Sequence, residues 1–328
     1  MKILVPAIIL TFSLLCVPVG GSGQDEDKPD RVETDLVSIN VTVIDGTGKP
    51  VVGLSQRQFE IYDGRVKQTI EHFSASAAGV TYGIVYDMHP TTGQRTNAVL
   101  NGLREFTKNL PSADDHFFVV FNERGSLSLD FVPDPQQLER HLARPEKREP
   151  RSLYDALFLA AEKLRQSRNL KKTLLVITDA ADHHSRTSFN ELRSELRKFD
   201  VQVYAIVLDE TLNRFDGYID VTRRDEAPRI LSDASPNDRA ALSSITLRSG
   251  GATFPSSLED EKNILRISRQ IATEMQNQYT LSFYPSASPD GRWHILRVGL
   301  RSVNGSKDFV LTYRQGYQAP PARKANQE

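Results

Sequence analysis

The stretch Leu174-Leu175-Val176-Ile177-Thr178-Asp179-Ala180-Ala181-Asp182 decides the fold, because a short apolar run in it ends at an aspartate. An earlier run, Tyr82 to Tyr86, has the same character and is followed by Asp87. Continuous apolar runs of this length are typical of strands buried on both faces of a parallel sheet. The carboxyl ends of such strands form the ligand-binding edge of an open α/β sheet. We therefore expect Asp87 and Asp179 to lie at that edge.

Strands and amphipathic helices alternate from Gly79 onward, which predicts a mostly parallel sheet with helices on both faces. Ser188 and Glu191 form a capping-box pair at the start of one of these helices. The predicted helices contain Val99–Leu110, Leu153–Leu164, Phe189–Phe199, Arg239–Arg248 and Ile264–Met275. The predicted strands are His116–Phe121, Leu127–Phe131, Thr173–Thr178, Val201–Leu208 and Ala252–Phe254.

The two flanking segments have the period-two alternation of β-strands. Val37, Ile39, Val41 and Val43 fall on one face, and strand candidates return after Gln278 at Tyr279–Tyr284, Trp293–Val303 and Phe309–Tyr313. Neither flank is large enough to form a core alone. We expect them to pair into one small β-sandwich into which the α/β unit is inserted. The predicted organisation is a signal peptide (1–23), a linker (24–30), a first sandwich half (31–76), an α/β domain (77–277), a second sandwich half (278–318) and a disordered tail (319–328).

The first residues are typical of an export signal. Lys2 precedes an apolar run, Ile3 to Cys16, that is too short for a comfortable membrane span, and small residues follow. Cys16 is the only cysteine, so a mature chain that begins after Gly23 would have neither disulfides nor thiol chemistry. We expect an exported protein, periplasmic or secreted, with no stable membrane span after signal removal. The sequence leaves open whether the signal is cleaved or kept as an anchor.

The overall charge argues against nucleic acid as a partner. The formal net charge is −1, and acidic neighbours interrupt the local arginine clusters. The apolar fraction of 39% is that of an ordinary globular protein with a sizeable core.

The motifs resemble the von Willebrand factor A (vWA) domain, whose metal-ion-dependent adhesion site contains D-x-S-x-S, a threonine ahead of a helix and a later strand-end aspartate. Asp87 matches the first aspartate, Thr91 the last hydroxyl and Asp179 the later aspartate. His89 stands in place of the first serine and Arg151 in place of the threonine. The resemblance implies a vWA-like α/β fold, and a metal that would accept a carboxylate from a partner protein.

The departures from the motif lead to three interpretations of this site. We prefer an ion-free site, in which the Arg151 guanidinium bridges Asp87 and Asp179 in place of a metal. A second interpretation retains Mg²⁺ or another divalent cation, bound by Asp87, Thr91, Ser152 and Asp179 after a one-residue shift. In the third, His89 favours a transition metal.

The order of several short motifs is similar to that of exported bacterial vWA-related proteins of the acidobacterial type. The similarity covers nearly the whole mature chain, and it implies a fold and a compartment more than an activity. Its motifs are Ile39-Asn40-Val41-Thr42-Val43, Phe59-Glu60-Ile61-Tyr62-Asp63-Gly64, Ser152-Leu153-Tyr154-Asp155-Ala156-Leu157, Ser249-Gly250-Gly251, Gln278-Tyr279-Thr280-Leu281 and Arg314-Gln315-Gly316-Tyr317.

Two functions from different classes follow from these observations. The first is an extracytoplasmic protein-binding module of adhesion type, whose unknown partner contacts the loops around His89, Arg148–Ser152, Asp182–Arg186 and Glu210–Asn237. The second is a metal-dependent, phosphoesterase-like hydrolase that uses Asp87, Asp179, Asp182, His183 and His184. The Asp182-His183-His184 triplet is more simply interpreted as an exposed loop, because the earlier D-x-D element that such hydrolases need does not occur after the first strand of the α/β unit. We expect the protein not to be an enzyme, and to need no cofactor beyond a possible divalent cation.

Overall fold

The computed structural model describes residues 36–75, 79–87, 93–111, 115–122, 125–129, 152–169, 171–182, 184–208, 238–257, 260–287, 289–301 and 309–322. For residues 87, 93–96, 120–122 and 125–129 it describes the backbone without the side chain.

Strands and helices follow one another along the chain in three groups. The strands are β1 (Val37–Asp45), β2 (Phe59–Asp63), β3 (Val66–Gln68), β4 (His72–Ser74), β5 (Val80–Asp87), β6 (Asp115–Asn122), β7 (Gly125–Leu129), β8 (Lys171–Thr178), β9 (Val201–Leu208), β10 (Thr253–Ser256), β11 (Tyr279–Phe283), β12 (Trp293–Leu300), β13 (Phe309–Thr312) and β14 (Gly316–Gln318). The helices are α1 (Gly93–Lys108), α2 (Leu153–Arg165), α3 (Phe189–Lys198), α4 (Asp238–Ser249) and α5 (Glu261–Gln276), and a 3₁₀ turn covers Gln56–Gln58.

The central sheet has the order β10-β9-β8-β5-β6-β7. Its first five strands are parallel, and β7 pairs antiparallel with β6 at the edge. Every residue of β9 is buried, which explains why its sequence is almost continuously apolar. Helices α1 and α5 cover one face, and α2, α3 and α4 cover the other. The predicted α/β fold is confirmed.

The flanking segments form two antiparallel sheets, β13-β1-β11-β4 and β14-β12-β2-β3, which share one hydrophobic core. Each sheet contains strands from both ends of the chain, because β1 pairs with β11 and β2 pairs with β12. This confirms the predicted sandwich of N-terminal and C-terminal segments. Each fully buried aliphatic side chain, such as Ile39 or Leu281, contributes about 1.5–3 kcal/mol to that core.

The sandwich also contacts the α/β unit through a buried polar network. Thr42 lies on the face of β1 opposite the sandwich core, yet it is fully buried. Gln278 donates hydrogen bonds to the Thr42 hydroxyl at 3.3 Å and to the Gln202 side chain at 2.8 Å, and Gln202 donates to the Gly250 carbonyl at 2.6 Å. The second face of β1 is therefore covered at Thr42, beyond the half-burial that its alternation predicts.

Several element ends differ from the sequence expectations. Strand β7 begins at Gly125, two residues before the predicted Leu127, while residues 130–131 lie outside the described residues. Strand β12 ends at Leu300, before the predicted Val303, which is also outside them. Beyond Gln318, where the predicted tail begins, Ala319 is buried and donates from its backbone N–H to the Arg292 carbonyl at 2.9 Å. The packed chain thus extends past that boundary.

Among the described residues, no helix combines the length and the apolar character needed to span a bilayer.

Candidate functional site at the carboxyl edge of the sheet

Strands β5 and β8 are neighbours, and their carboxyl ends are level with each other. Tyr86 is in register with Ile177, so the backbone of Asp87, the last residue of β5, lies beside Thr178. Asp179 follows directly and is partly exposed. Its Oδ1 accepts a hydrogen bond from the Ala181 backbone N–H at 3.0 Å, which turns the chain away from the strand.

The turn after β8 has a strained backbone at Ala180. This residue has a φ of 69°, in the left-handed region, and its side chain is fully buried. A non-glycine residue in this conformation costs about 1–2 kcal/mol. Surrounding contacts stabilise this strained conformation, among them the hydrogen bond from the Ala180 N–H to the Thr178 hydroxyl at 3.0 Å.

The loop after β8 caps the N-terminus of helix α2. Ser152, at the N-cap position, is buried but makes no side-chain capping bond. Instead, Asp182 Oδ1 accepts from the Tyr154 N–H at 3.2 Å, and the Ser185 hydroxyl accepts from the Asp155 N–H at 3.2 Å. Ser185 in turn donates to Asp182 at 2.5 Å. Two of the free N–H groups of the first helical turn are thus satisfied by a distant loop.

Asp155 completes this contact in the opposite direction. Its carboxylate accepts from the Arg186 N–H at 3.1 Å and from the Thr187 N–H at 2.8 Å. Burial raises the pKa of Asp155, but hydrogen bonds from Thr187 and Arg186 outweigh it, and the pKa falls below the ordinary value. We call this reciprocal set of bonds between residues 152–155 and 182–187 the loop clamp.

Helix α4 joins the loop clamp through its first residue, Asp238. The Asp238 carboxylate accepts from the Asp182 N–H at 3.1 Å and hydrogen bonds with the Tyr154 hydroxyl. Burial, followed by the charges of Asp238 and Asp182, raises the pKa of Tyr154 to about 12. Tyr154 therefore stays protonated and donates its hydrogen bond at physiological pH.

The residues predicted to form the site are only partly covered by the structure. Asp179 and Ser152 are described with their side chains, and Asp87 by its backbone alone. His89, Thr91 and Arg151 lie outside the described residues. So do the predicted binding loop Glu210–Asn237 and all of Arg148–Ser152 except Ser152. The convergence of Asp87, Arg151 and Asp179 stays a prediction.

The residues of the alternative hydrolase site are also partly covered. Asp182 is engaged in the loop clamp, His184 is exposed, and His183 lies outside the described residues. Within the part of the chain that the structure describes, no cluster of three or more His, Cys, Asp or Glu side chains could hold a metal ion. The side chains of Asp87, His89 and His183 are not among those that the structure describes.

No sequence pattern indicates that the clamp partners Tyr154, Ser185 and Asp238 lie together. Asp238 could have been noticed as an acid at a helix start, where carboxylates are favourable. Its contact with a loop 56 residues away has no periodic signature.

Comparisons with known proteins give similarity at the level of structure alone. No family model and no curated protein matches the sequence. Structural neighbours include an aerotolerance-related membrane protein from Bacteroides fragilis (16% identity, 60% of this chain and 98% of that chain, TM-score 0.41). They also include the conserved hypothetical protein BatB from Bacteroides thetaiotaomicron (16% identity, 60% and 98%, TM-score 0.40) and a von Willebrand factor type A protein from Catenulispora acidiphila (8% identity, 90% and 76%, TM-score 0.43). Similarities this low do not assign a function.

Proposed function

We propose that this chain is an extracytoplasmic protein-binding module, and that its partner contacts the carboxyl edge of the sheet. The observation that carries the proposal is the loop clamp, which ties the loop after β8 to α2 and α4. A loop fixed in this way loses little conformational entropy when a partner binds, which favours affinity. His184 and Arg186 are exposed on the clamped loop and are available for contact.

We further propose that this edge works without a metal. In the proposed arrangement, the guanidinium of Arg151 lies between the carboxylates of Asp87 and Asp179 and donates hydrogen bonds to both of them. It would neutralise part of their charge and oppose the entry of a cation. Support comes from the level ends of β5 and β8 and from the residue types at the motif positions.

The proposed compartment rests on the first residues of the sequence. Lys2 and the apolar run Ile3 to Cys16 have the order of a secretion signal. N-terminal sequencing of the protein from the envelope and medium of its source cells would test this. A mature N-terminus near Gly23 is the expected result, and a full-length cytoplasmic product would contradict it.

Partner capture tests the binding proposal. The full chain should capture the same partner when crosslinking is carried out in envelope extract that contains Mg²⁺ and in extract that contains EDTA. Arg186→Glu should abolish capture, because it reverses a charge on the clamped loop while keeping the backbone N–H that Asp155 accepts. Arg57→Glu is the matched control, because Arg57 is an exposed arginine of the sandwich.

Loss of capture in EDTA would contradict the ion-free edge. Equal capture by Arg186→Glu and wild-type protein would contradict the location of the binding surface.

A further inference from the structure

A second surface lies at the opposite, amino edge of the sheet. There, a cleft that is partly open to solvent is lined by residues of α3, α4, the start of β9 and the sandwich strands β12 and β14. Val201 is the first residue of β9, and β9 has eight residues, so the cleft is about 25 Å along the strand from the carboxyl edge. This cleft is separate from the proposed partner-binding edge.

The cleft is strongly cationic although the whole chain is not. Arg193, Arg197, Arg248 and Arg314 line it, and Asp200 is the acidic residue among the lining residues. The formal charge is therefore 4 − 1 = +3, against −1 for the chain.

Two of these arginines also stabilise helix ends. Arg197 and Arg248 lie in the last turns of α3 and α4, where cations offset the partial negative charge of the helix C-terminus. Each terminus carries about half an elementary charge, so the two helix ends together offset only about one positive charge. The formal charge of the lining residues therefore exceeds what the helix ends alone offset.

Arg314 is fixed in position by the surrounding protein. Its Nη1 pairs with Asp200 at 2.7 Å, its Nη2 donates to the Ser38 carbonyl at 2.6 Å, and its side chain is 14% exposed. Its Nε is buried and has no acceptor among the described residues. A buried donor without an acceptor among the described residues is an unmet hydrogen-bonding group in the wall of the cleft.

The cleft also has an apolar wall and a fixed aromatic ring. Leu196, Val201 and Ile245 line the wall. The guanidinium of Arg197 lies 4.4 Å from the centroid of the Trp293 ring. Gly316 also lies against Trp293, since a Cβ at Gly316 would come within 2.6 Å of the ring.

We propose that this cleft binds a small organic anion, whose carboxylate or phosphate group pairs with the arginines while its apolar part lies against Leu196, Val201 and Ile245. The planar guanidinium of arginine can donate two hydrogen bonds to a carboxylate or to a phosphate. Both kinds of ligand would therefore be recognised in the same way.

Binding in the cleft can be followed by the fluorescence of Trp293, because it is the only tryptophan in the sequence. Its fluorescence in the full chain is titrated with acetate, hexanoate and inorganic phosphate at fixed low ionic strength, with sodium chloride as the reference. We expect a saturable change, and hexanoate should bind at least about tenfold more tightly than acetate because its methylene groups are buried. Tighter binding of phosphate than of hexanoate would identify a phosphate group as the preferred oxyanion. No saturable change beyond that of sodium chloride would overturn the proposal.

Variants separate binding in the cleft from a structural role of its arginines. Arg248→Gln should weaken binding by about tenfold or more, as expected for one lost charge-assisted hydrogen bond, and Arg248→Lys should restore part of it. Arg57→Gln, on the sandwich surface, should bind as wild type does. If Arg248→Gln does not fold, Arg193→Gln replaces it. Unchanged affinity in a folded cleft variant would show that the arginines only stabilise the helix ends.

Discussion

Substitution of Asp155 is the most informative perturbation of the loop clamp. In the wild type, one carboxylate accepts backbone hydrogen bonds from Arg186 at 3.1 Å and from Thr187 at 2.8 Å. Asp155→Ala removes both acceptors and leaves the two N–H groups to water or to no partner. Asp155→Asn keeps one acceptor oxygen but removes the charge.

The expected loss follows from these two bonds. A hydrogen bond to a charged group contributes about 1.5–3 kcal/mol, so the pair contributes about 4 kcal/mol when buried. Arg186 is exposed and Thr187 is partly buried, so water replaces about half of this. We expect Asp155→Ala to lower the free energy of unfolding by about 2 kcal/mol and Asp155→Asn by about 1 kcal/mol.

Urea denaturation followed by circular dichroism measures the loss, and hydrogen exchange of the Arg186 and Thr187 amides locates it. Glu162→Ala is the control, since it removes an acid from the same helix whose exposed pair with Arg165 contributes about 0.5 kcal/mol or less. Because the pKa of Asp155 is lowered by folding, its contribution is present above the unfolded pKa and is lost as the pH falls below it. Asp155→Ala with the stability and amide protection of Glu162→Ala would refute the clamp.

Other parts of the structure give further tests. Ala180→Gly should change the free energy of unfolding by less than about 0.5 kcal/mol, because relief of the left-handed strain offsets the lost methyl burial. Ala160→Gly, equally buried but helical, should cost about 2 kcal/mol, and equal losses in urea denaturation would exclude strain at residue 180. Gly251→Ala should lower the melting temperature markedly, because its Cβ would lie 1.8 Å from a backbone carbonyl of β9, and an unchanged temperature would contradict that contact. His294 contacts Asp63 at 3.0 Å, and although burial lowers the pKa of His294, the hydrogen bonds that its ring donates to Asp63 and Asp290 raise the pKa above 6.5 overall. Its contribution is therefore complete below pH 6.5 and lost as the pH rises through the raised pKa, so His294→Gln should flatten that part of a stability profile.

The sequence predicts elements well where burial imposes a periodic pattern. Strands β8 and β9 are buried on both faces, so their apolar runs predict both ends of β9 and the end of β8, while β8 begins two residues before the predicted Thr173. The capping box at Ser188 and Glu191 is also present, because both partners lie within one helical turn.

The candidate site is less predictable because its contacts join residues that are far apart in the chain. The bonds of Asp182 to Tyr154 and of Asp238 to Asp182 span 28 and 56 residues. No local rule specifies which loop caps α2, since Ser152 is a suitable N-cap residue by type and yet makes no capping bond. The cationic cleft is hard to predict for the same reason, because its arginines come from α3, α4 and the sandwich, which are far apart in the chain.

Isothermal titration calorimetry of the mature protein with Mg²⁺, Mn²⁺ and Zn²⁺ tests the ion-free edge most directly. The account predicts no saturable binding of any of the three ions at micromolar concentration. Micromolar Mg²⁺ binding that is lost in Asp87→Ala would contradict it.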